Sequence, residues 1–350
     1  MKNLRQKSGV RSIAFRIGIS GQGLVSFDSK DQRFANNTFK NRLRGQGEEN
    51  VLFAKKNYYG NEGEYKNKIS ASCLKRAIFE DIIPVQSPIV SHNTDLLNSF
   101  IAHPVNLLKG YMFTEKGESG IKRKSPLMIQ DAEQVNDSKS VMETNSKSGQ
   151  RTDTSFFQKE TIGKIEYEGL AIIDLNELQF VSCDQIFERL CFNPDYFETY
   201  KEFMNLHFDF DQELDYYQMS SSIYKIPEMG YLLTESQVNY IVKLFITQLL
   251  QLNIQRRDAY AAISSLQFKF IENPLVDKVS NEDGWTSIET EEDINDINFN
   301  LFPAYVLSND EASMIRREKA KEAYEKVENA AKNKKKEKEE AKAKLKEEKK

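Results

Sequence analysis

Five stretches of the chain carry a clear hydrophobic period. Ile13, Phe15, Ile17 and Ile19 alternate with polar or small residues and predict a half-buried strand over Ser12 to Ile19. Leu74, Ala77, Ile78 and Ile82 recur at helical spacing, with Ser70 and Ser72 as natural N-caps, so a helix is expected from near Ser72. Ile165, Tyr167, Leu170, Ile172 and Ile173 in "KIEYEGLAIIDL" read as a second strand region. Apolar residues at 238, 241, 242, 245, 249 and 252 make an amphipathic helix over Glu235 to Leu252, capped by Thr234. "SLQFKFIENPL" predicts a closing strand that ends near Pro274. Between these elements lie a polar stretch from Ser29 to Asn50, an irregular insertion from Pro84 to about Phe156, and an acidic, aromatic-rich block from Asn193 to Tyr231. The order suits an α+β fold of ferredoxin-like βαββαβ type with insertions.

The first helix begins oddly. Its opening turn carries Lys75 and Arg76, where unpaired backbone N–H groups and the positive end of the helix dipole favour acids. Two readings are open: an anion such as a phosphate completes the site, or both cations are solvated at a cost of a few tenths of a kcal/mol, roughly.

Charge sharpens the question. The total is −4, but residues 1–80 carry a net +9, residues 81–310 a net −18, and residues 311–350 a net +5. A basic segment in an acidic chain fits a localised polyanion site, and it equally fits contact with an acidic copy of the same protein. The 350 residues and 39% hydrophobic content are enough for a real core. Three cysteines, at 73, 183 and 191, match no zinc spacing and suit a reducing, cytoplasmic setting. The longest apolar stretch, Tyr240 to Leu252, is too short and too interrupted to span a bilayer, so no membrane association is expected.

Signatures of catalysis are sparse, and the chain reads as a non-enzyme without cofactor or metal. His92, His103 and His207 have no metal-ligand spacing. "GQG" at Gly21 to Gly23 lacks the third glycine and following helix of a dinucleotide loop, and reads as a place where the backbone turns or lies close to something. Asp28 and Asp31 are candidate acid/base or metal groups among many cations, where surface pairing is the simpler account. Binding signals are richer. Lys30, Arg33, Lys40, Arg42 and Arg44 are followed by Lys55 and Lys56 beside Tyr58 and Tyr59, the mixture of cations and aromatics that suits single-stranded nucleic acid. From Glu311 the chain is dominated by Lys and Glu without a heptad seam, which predicts a solvated single helix or a frayed one.

At "KNKISASCLKRAIF" the chain resembles the Cas-seven backbone subunits of CRISPR type I interference complexes, in the RAMP superfamily. "TIGKIEYEGLAIIDLNELQ" resembles that family's second strand region, "LTESQVNYIVKLFITQLLQL" its second helix, "NIQRRDAYAAISSLQFKF" its thumb and following strand, and "IKRKSPLMIQDA" its inserted web. The acidic aromatic block and the Lys/Glu tail depart from the pattern. The resemblance implies a modified RRM-like palm over 1–83 and 157–308 with a thumb near 253–266, an inserted finger and web region over 84–156, and a separate tail over 309–350. It implies that the chain polymerises along CRISPR RNA beside other Cascade-type subunits and supports target DNA recognition. The residues expected at the RNA are Arg33, Lys55, Lys56, Lys68, Ser70, Ser72, Lys75 and Arg76 in the palm, Lys122, Arg123 and Lys124 in the web, and Arg256, Arg257, Tyr260 and Ile263 in the thumb. Two alternatives remain: a type III-like subunit that cleaves target RNA through Asp28 or Asp31, and an adaptor without nucleic acid.

Overall fold

The structure is a computed structural model that describes residues 9–22, 68–79, 94–113, 120–136, 140–146, 156–162, 164–187, 189–223, 225–256 and 259–347. In chain order the elements begin with β1 (Ser12–Gln22), β2 (Lys68–Ile69), α1 (Ala71–Phe79), α2 (Thr94–Ala102), α3 (Pro104–Lys109), β3 (Tyr111–Phe113) and β4 (Ile121–Arg123). They continue with β5 (Leu127–Ile129), β6 (Ala132–Gln134), β7 (Ser140–Ser146), β8 (Phe156–Ile162), β9 (Lys164–Asp174), α4 (Leu175–Gln179), β10 (Phe180–Asp184) and β11 (Arg189–Leu190). After a short 3₁₀ turn come α5 (Phe197–Met204), β12 (Asp215–Met219), β13 (Glu228–Leu232), α6 (Glu235–Leu250), β14 (Asn253–Arg256) and β15 (Ala259–Ile271). The last elements are β16 (Thr286–Ser287), α7 (Glu291–Asp296), β17 (Tyr305–Leu307) and α8 (Glu311–Glu347).

Two compact units share these elements. The first takes Met1–Pro88, Ser125–Leu175 and Glu235–Phe302; the second takes Ile89–Lys124, Asn176–Thr234 and Pro303–Lys350. The stretch 84–156 is split between the units, and 176–234 groups with the second unit, as does 303–350.

In the first unit an antiparallel sheet runs β14-β15-β1-β9-β6-β2, with β16 on β15 and β5 on β9. The alternation in β1 is what places it: Ile13, Phe15, Ile17 and Ile19 are buried under the helices, and Phe15 meets Phe245 of α6 edge-on at 5.5 Å. Phe79 at the end of α1 approaches the same ring at 6.2 Å, so one aromatic on α6 ties both helices to the sheet. Burying each such side chain contributes about 1.5–3 kcal/mol. Gly21 faces β15 so closely that a Cβ there would collide with the Tyr260 carbonyl oxygen and the Ala261 side chain. That is the close approach "GQG" announces, and it is made to the chain's own backbone.

The sheet face away from the helices is closed by the loop between β15 and β16. Lys269 is buried and its Nζ donates to the carbonyls of Lys278 (3.1 Å), Asn281 (3.3 Å) and Asp283 (2.6 Å). Arg16 donates to both carboxylate oxygens of Glu282 (3.0 and 3.2 Å) and lies 4.6 Å over the Trp285 ring.

The second unit has its own sheet, β11-β10-β13-β12-β17. Its core comes from the acidic aromatic block and the residue before it: Phe192 stacks on Tyr200 at 4.6 Å, the Tyr200 and Tyr231 hydroxyls share a hydrogen bond of 2.7 Å, and Phe210 meets Tyr231 edge-on at 5.0 Å. Offset rings of this kind add specificity to plain area burial.

His103 caps α3 by accepting from the Val105 N–H at Nδ1 (3.3 Å), with its ring 4.8 Å from that of His207. Burial, and then the neighbouring His207, push its pKa down from 6.5 to about 4. A cap that accepts at Nδ1 must be unprotonated there. Between pH 6.5 and about 4 the unfolded chain therefore takes up a proton that the folded one refuses, and stability falls as pH is lowered through that window. Thermal melts from pH 7.5 to 4.5 are expected to show the fall, and His103→Asn, a cap that does not titrate, is expected to flatten it. An equally steep fall in His103→Asn would assign it to other groups.

Candidate nucleic-acid interface

The start of α1 is built from the first two of the three chain segments that make up the first unit. The Ser70 carbonyl accepts from Leu74 N–H (3.0 Å) and its Oγ from Cys73 N–H (3.3 Å), which makes Ser70 the N-cap and sets the helix start at Ala71. Ser72, the expected alternative cap, is an exposed residue of the first turn. The Ala71 N–H donates to Asp131 Oδ1 (2.8 Å). Asp131 sits where the edge along β9 is interrupted between β5 and β6, and that break lets its carboxylate reach the helix. An anion at this helix start is thus supplied by the protein itself.

Lys75 Nζ donates to Ser125 Oγ (2.9 Å), which donates onward to the Leu127 carbonyl (2.8 Å), so Lys75 also braces α1 against β5. Arg76 is exposed on the same turn. Lys68 lies on β2 in register with Glu133 of β6. Arg33, Lys55 and Lys56 lie outside the described residues, as do Asp28 and Asp31.

The web cations divide. Lys122 is half-buried on β4, and Lys124 is exposed 3.6 Å from Glu177. Arg123 is only 6% exposed. Its Nε donates to the Leu107 carbonyl (2.7 Å), Nη1 to Phe180 (3.2 Å), and Nη2 to Glu177 (3.2 Å) and Leu178 (3.0 Å). Arg123, expected at the RNA, has its fork engaged by backbone carbonyls of α3, α4 and the start of β10, inside the second unit.

The expected thumb is also different in kind. Residues 253–256 and 259–271 form the β14–β15 hairpin, so the apolar "YAAI" is sheet and not a projecting tip. Tyr260 is 54% exposed between Gln255 and Gln22, Ala261 is fully buried, and Ile263 is half-buried opposite Ile19. Arg256 ends β14 in register with Ala259, and Arg257 lies outside the described residues. A Gly/Ser replacement of Tyr260 to Ile263 therefore removes sheet and core positions, not a loop.

A sheet that reads bases by stacking needs aromatics on an open face. Here the helix-free positions of β1 are Ser12, Ala14, Arg16, Gly18 and Ser20, and Arg16 is already held by Glu282 and Trp285.

Comparison with known families supplies the class, a Cas7 backbone subunit of a type I CRISPR system. Residues 9–295 match the model of the type I-Fv CRISPR-associated protein Cas7fv-like family. The chain belongs to that family. No curated protein matches it. The matched range covers the whole described sheet of the first unit and stops short of α8. Among the described residues, no helix is long and apolar enough to cross a membrane, and no group of three or more His, Cys, Asp or Glu is placed to hold a metal ion.

Proposed function

We propose that the chain is a non-catalytic subunit that binds CRISPR RNA, lines up in several copies along the guide beside other Cascade-type subunits, and holds it for pairing with target DNA. The family match over residues 9–295 carries this reading. The strand order adds support for a ferredoxin-like palm: taking β5–β6 as one interrupted strand, the path β1, α1, β5–β6, β9, α6, β15 follows the βαββαβ chain order, and β1 lies between β9 and β15. Ser72, Lys75 and Arg76 face the guide backbone in this reading, which leaves its bases free to pair.

The test is purification from cells that also express a CRISPR array. A copurified RNA of one discrete length, with absorbance dominated at 260 nm, is expected; a chain free of RNA would overturn the reading. Incubation with matched target RNA and magnesium is expected to leave that RNA intact, and its cleavage would move the protein to the enzymes. Arg76→Glu is expected to weaken guide retention for every guide sequence and to make the salt slope shallower by about 1. The single change is preferred to one that includes Lys75, whose loss also frees Ser125. Unchanged retention and slope would remove α1 from the interface.

A further inference from the structure

A cleft of about 850 Å³ opens in the first unit, walled by the first half of α6, the end of β15, the residues leading into β1, and 298–300. Aromatic rings line it: Tyr240, 45% exposed, half-buried Phe270, and buried Phe299, which meets Phe270 at 5.6 Å. Two of its donors are spent within the wall. Lys243 Nζ donates to the Asn295 carbonyl (2.8 Å) and to Asn298 Oδ1 (3.2 Å), and Asn239 Nδ2 donates to the carbonyls of Glu235 (3.0 Å) and Phe299 (3.1 Å).

Acceptors, by contrast, are left over. Asn239 Oδ1 is buried with no hydrogen-bond partner. Glu272, one residue past β15, is half-buried and makes no hydrogen bond or ion pair among the described residues. Glu235 accepts from Leu301 N–H through Oε2 (2.9 Å), which leaves its other oxygen for a second donor. A wall of rings and unpaired acceptors calls for a ligand that is flat, cationic and rich in N–H groups. A nucleotide fits it badly, because its phosphate would meet two carboxylates. An ammonium brings the charge without a flat face to lay on a ring, whereas a guanidinium brings both and offers a fork to a carboxylate.

We infer that this cleft receives the guanidinium of an arginine from a second copy of the chain, an inference that rests on the proposed row of copies along a guide. Charge complementarity selects that partner. Residues 272–300, which run from the end of β15 to the far wall of the cleft, hold nine acids and one lysine, while residues 1–80 carry a net +9. Donor and cleft are different parts of one sequence, so the contact is head-to-tail and leaves each end of the row open to a further copy. Arginine is also the charged residue enriched at protein interfaces. No residue of the proposed guide interface lines the cleft.

The experiment has two arms on the full chain. In the first, acetyl-arginine amide is titrated and followed by saturation-transfer NMR; a Kd on the order of 1 mM is expected for one side chain without its protein. Acetyl-citrulline amide, the same shape without the charge, is expected to bind about tenfold more weakly, and Glu272→Gln, which keeps the shape of the wall, is expected to weaken arginine binding by a similar factor. Tyr240→Ala is expected to weaken it as well, through the lost ring. In the second arm, Glu272→Gln purified with a guide is expected to retain the RNA and to carry fewer copies per RNA by native mass spectrometry. Absence of arginine binding by the parent would overturn the inference, as would equal binding of arginine and citrulline, parental arginine binding in Glu272→Gln, or a parental copy number in that variant. If the chain proves to carry no guide at all, the first arm still reads out on the RNA-free protein, so failure of the proposed function and failure of this site are told apart.

Discussion

Arg317→Ala is expected to destabilise the protein by about 3–5 kcal/mol, the cost of leaving a buried charge without its partner. Asp184 is that charge: its side chain is 1% exposed, with Oδ2 accepting from Met229 N–H (2.9 Å) and Oδ1 from Ile186 N–H (3.0 Å). Arg317 completes the shell by donating to the carboxylate and to the Pro227 carbonyl (2.9 Å), with its guanidinium 4.7 Å over the Tyr216 ring. The midpoint of thermal unfolding is expected to drop by roughly 10 °C. Arg317→Ala combined with Asp184→Asn separates charge from packing. Removing the orphaned charge is expected to make the double variant more stable than Arg317→Ala alone. A double variant that is less stable than either single one would show that packing, and not the buried charge, sets the cost.

That ion pair was invisible in the sequence, and the reason is physical. Arg317 opens a run rich in Lys and Glu, a composition that reads as solvated helix throughout, and Asp184 ends a short strand 133 residues away. The first unit was more legible because its strands and helices are long. β1 and β9 each run 11 residues with buried positions alternating, and α6 runs 16 with a continuous apolar face, so period alone identifies them. The second unit is assembled from strands of two to five residues in three separated pieces of chain. Segments that short show no period, and their aromatic content points to burial without saying against what.

At the candidate interface the same contrast holds. The position of α1 and the cations in its first turn was readable from local pattern, but Asp131, the carboxylate at the helix start, was not, because it lies 60 residues on and acts through the fold. The β14–β15 hairpin misled for a related reason. Small residues and a tyrosine after two arginines suggest a tip, whereas Ala261 and Gly21 are small because two strands must approach closely.

Arg123→Met tests how far a cation's charge can be read as a binding residue. If Arg123 contacted guide phosphates, its loss would leave the fold intact and weaken RNA retention. Its four hydrogen bonds to carbonyls predict the reverse: several buried acceptors lose their donor at once, each costing about 1–3 kcal/mol, so a loss above roughly 3 kcal/mol is expected. Arg123→Lys is expected to recover little, because an ammonium keeps the charge but cannot present a planar fork to carbonyls from α3 and α4 together. Lys122→Gln and Lys124→Gln, at the half-buried and exposed neighbours, are expected to leave the unfolding midpoint within about 2 °C of the parent. Unfolding midpoints and RNA content measured on the four variants decide between the two roles. Arg123→Met with the parental midpoint and reduced RNA would return this residue to the interface, whereas a large fall in midpoint, shared by Arg123→Lys and absent from its neighbours, makes it the clasp that closes the second unit.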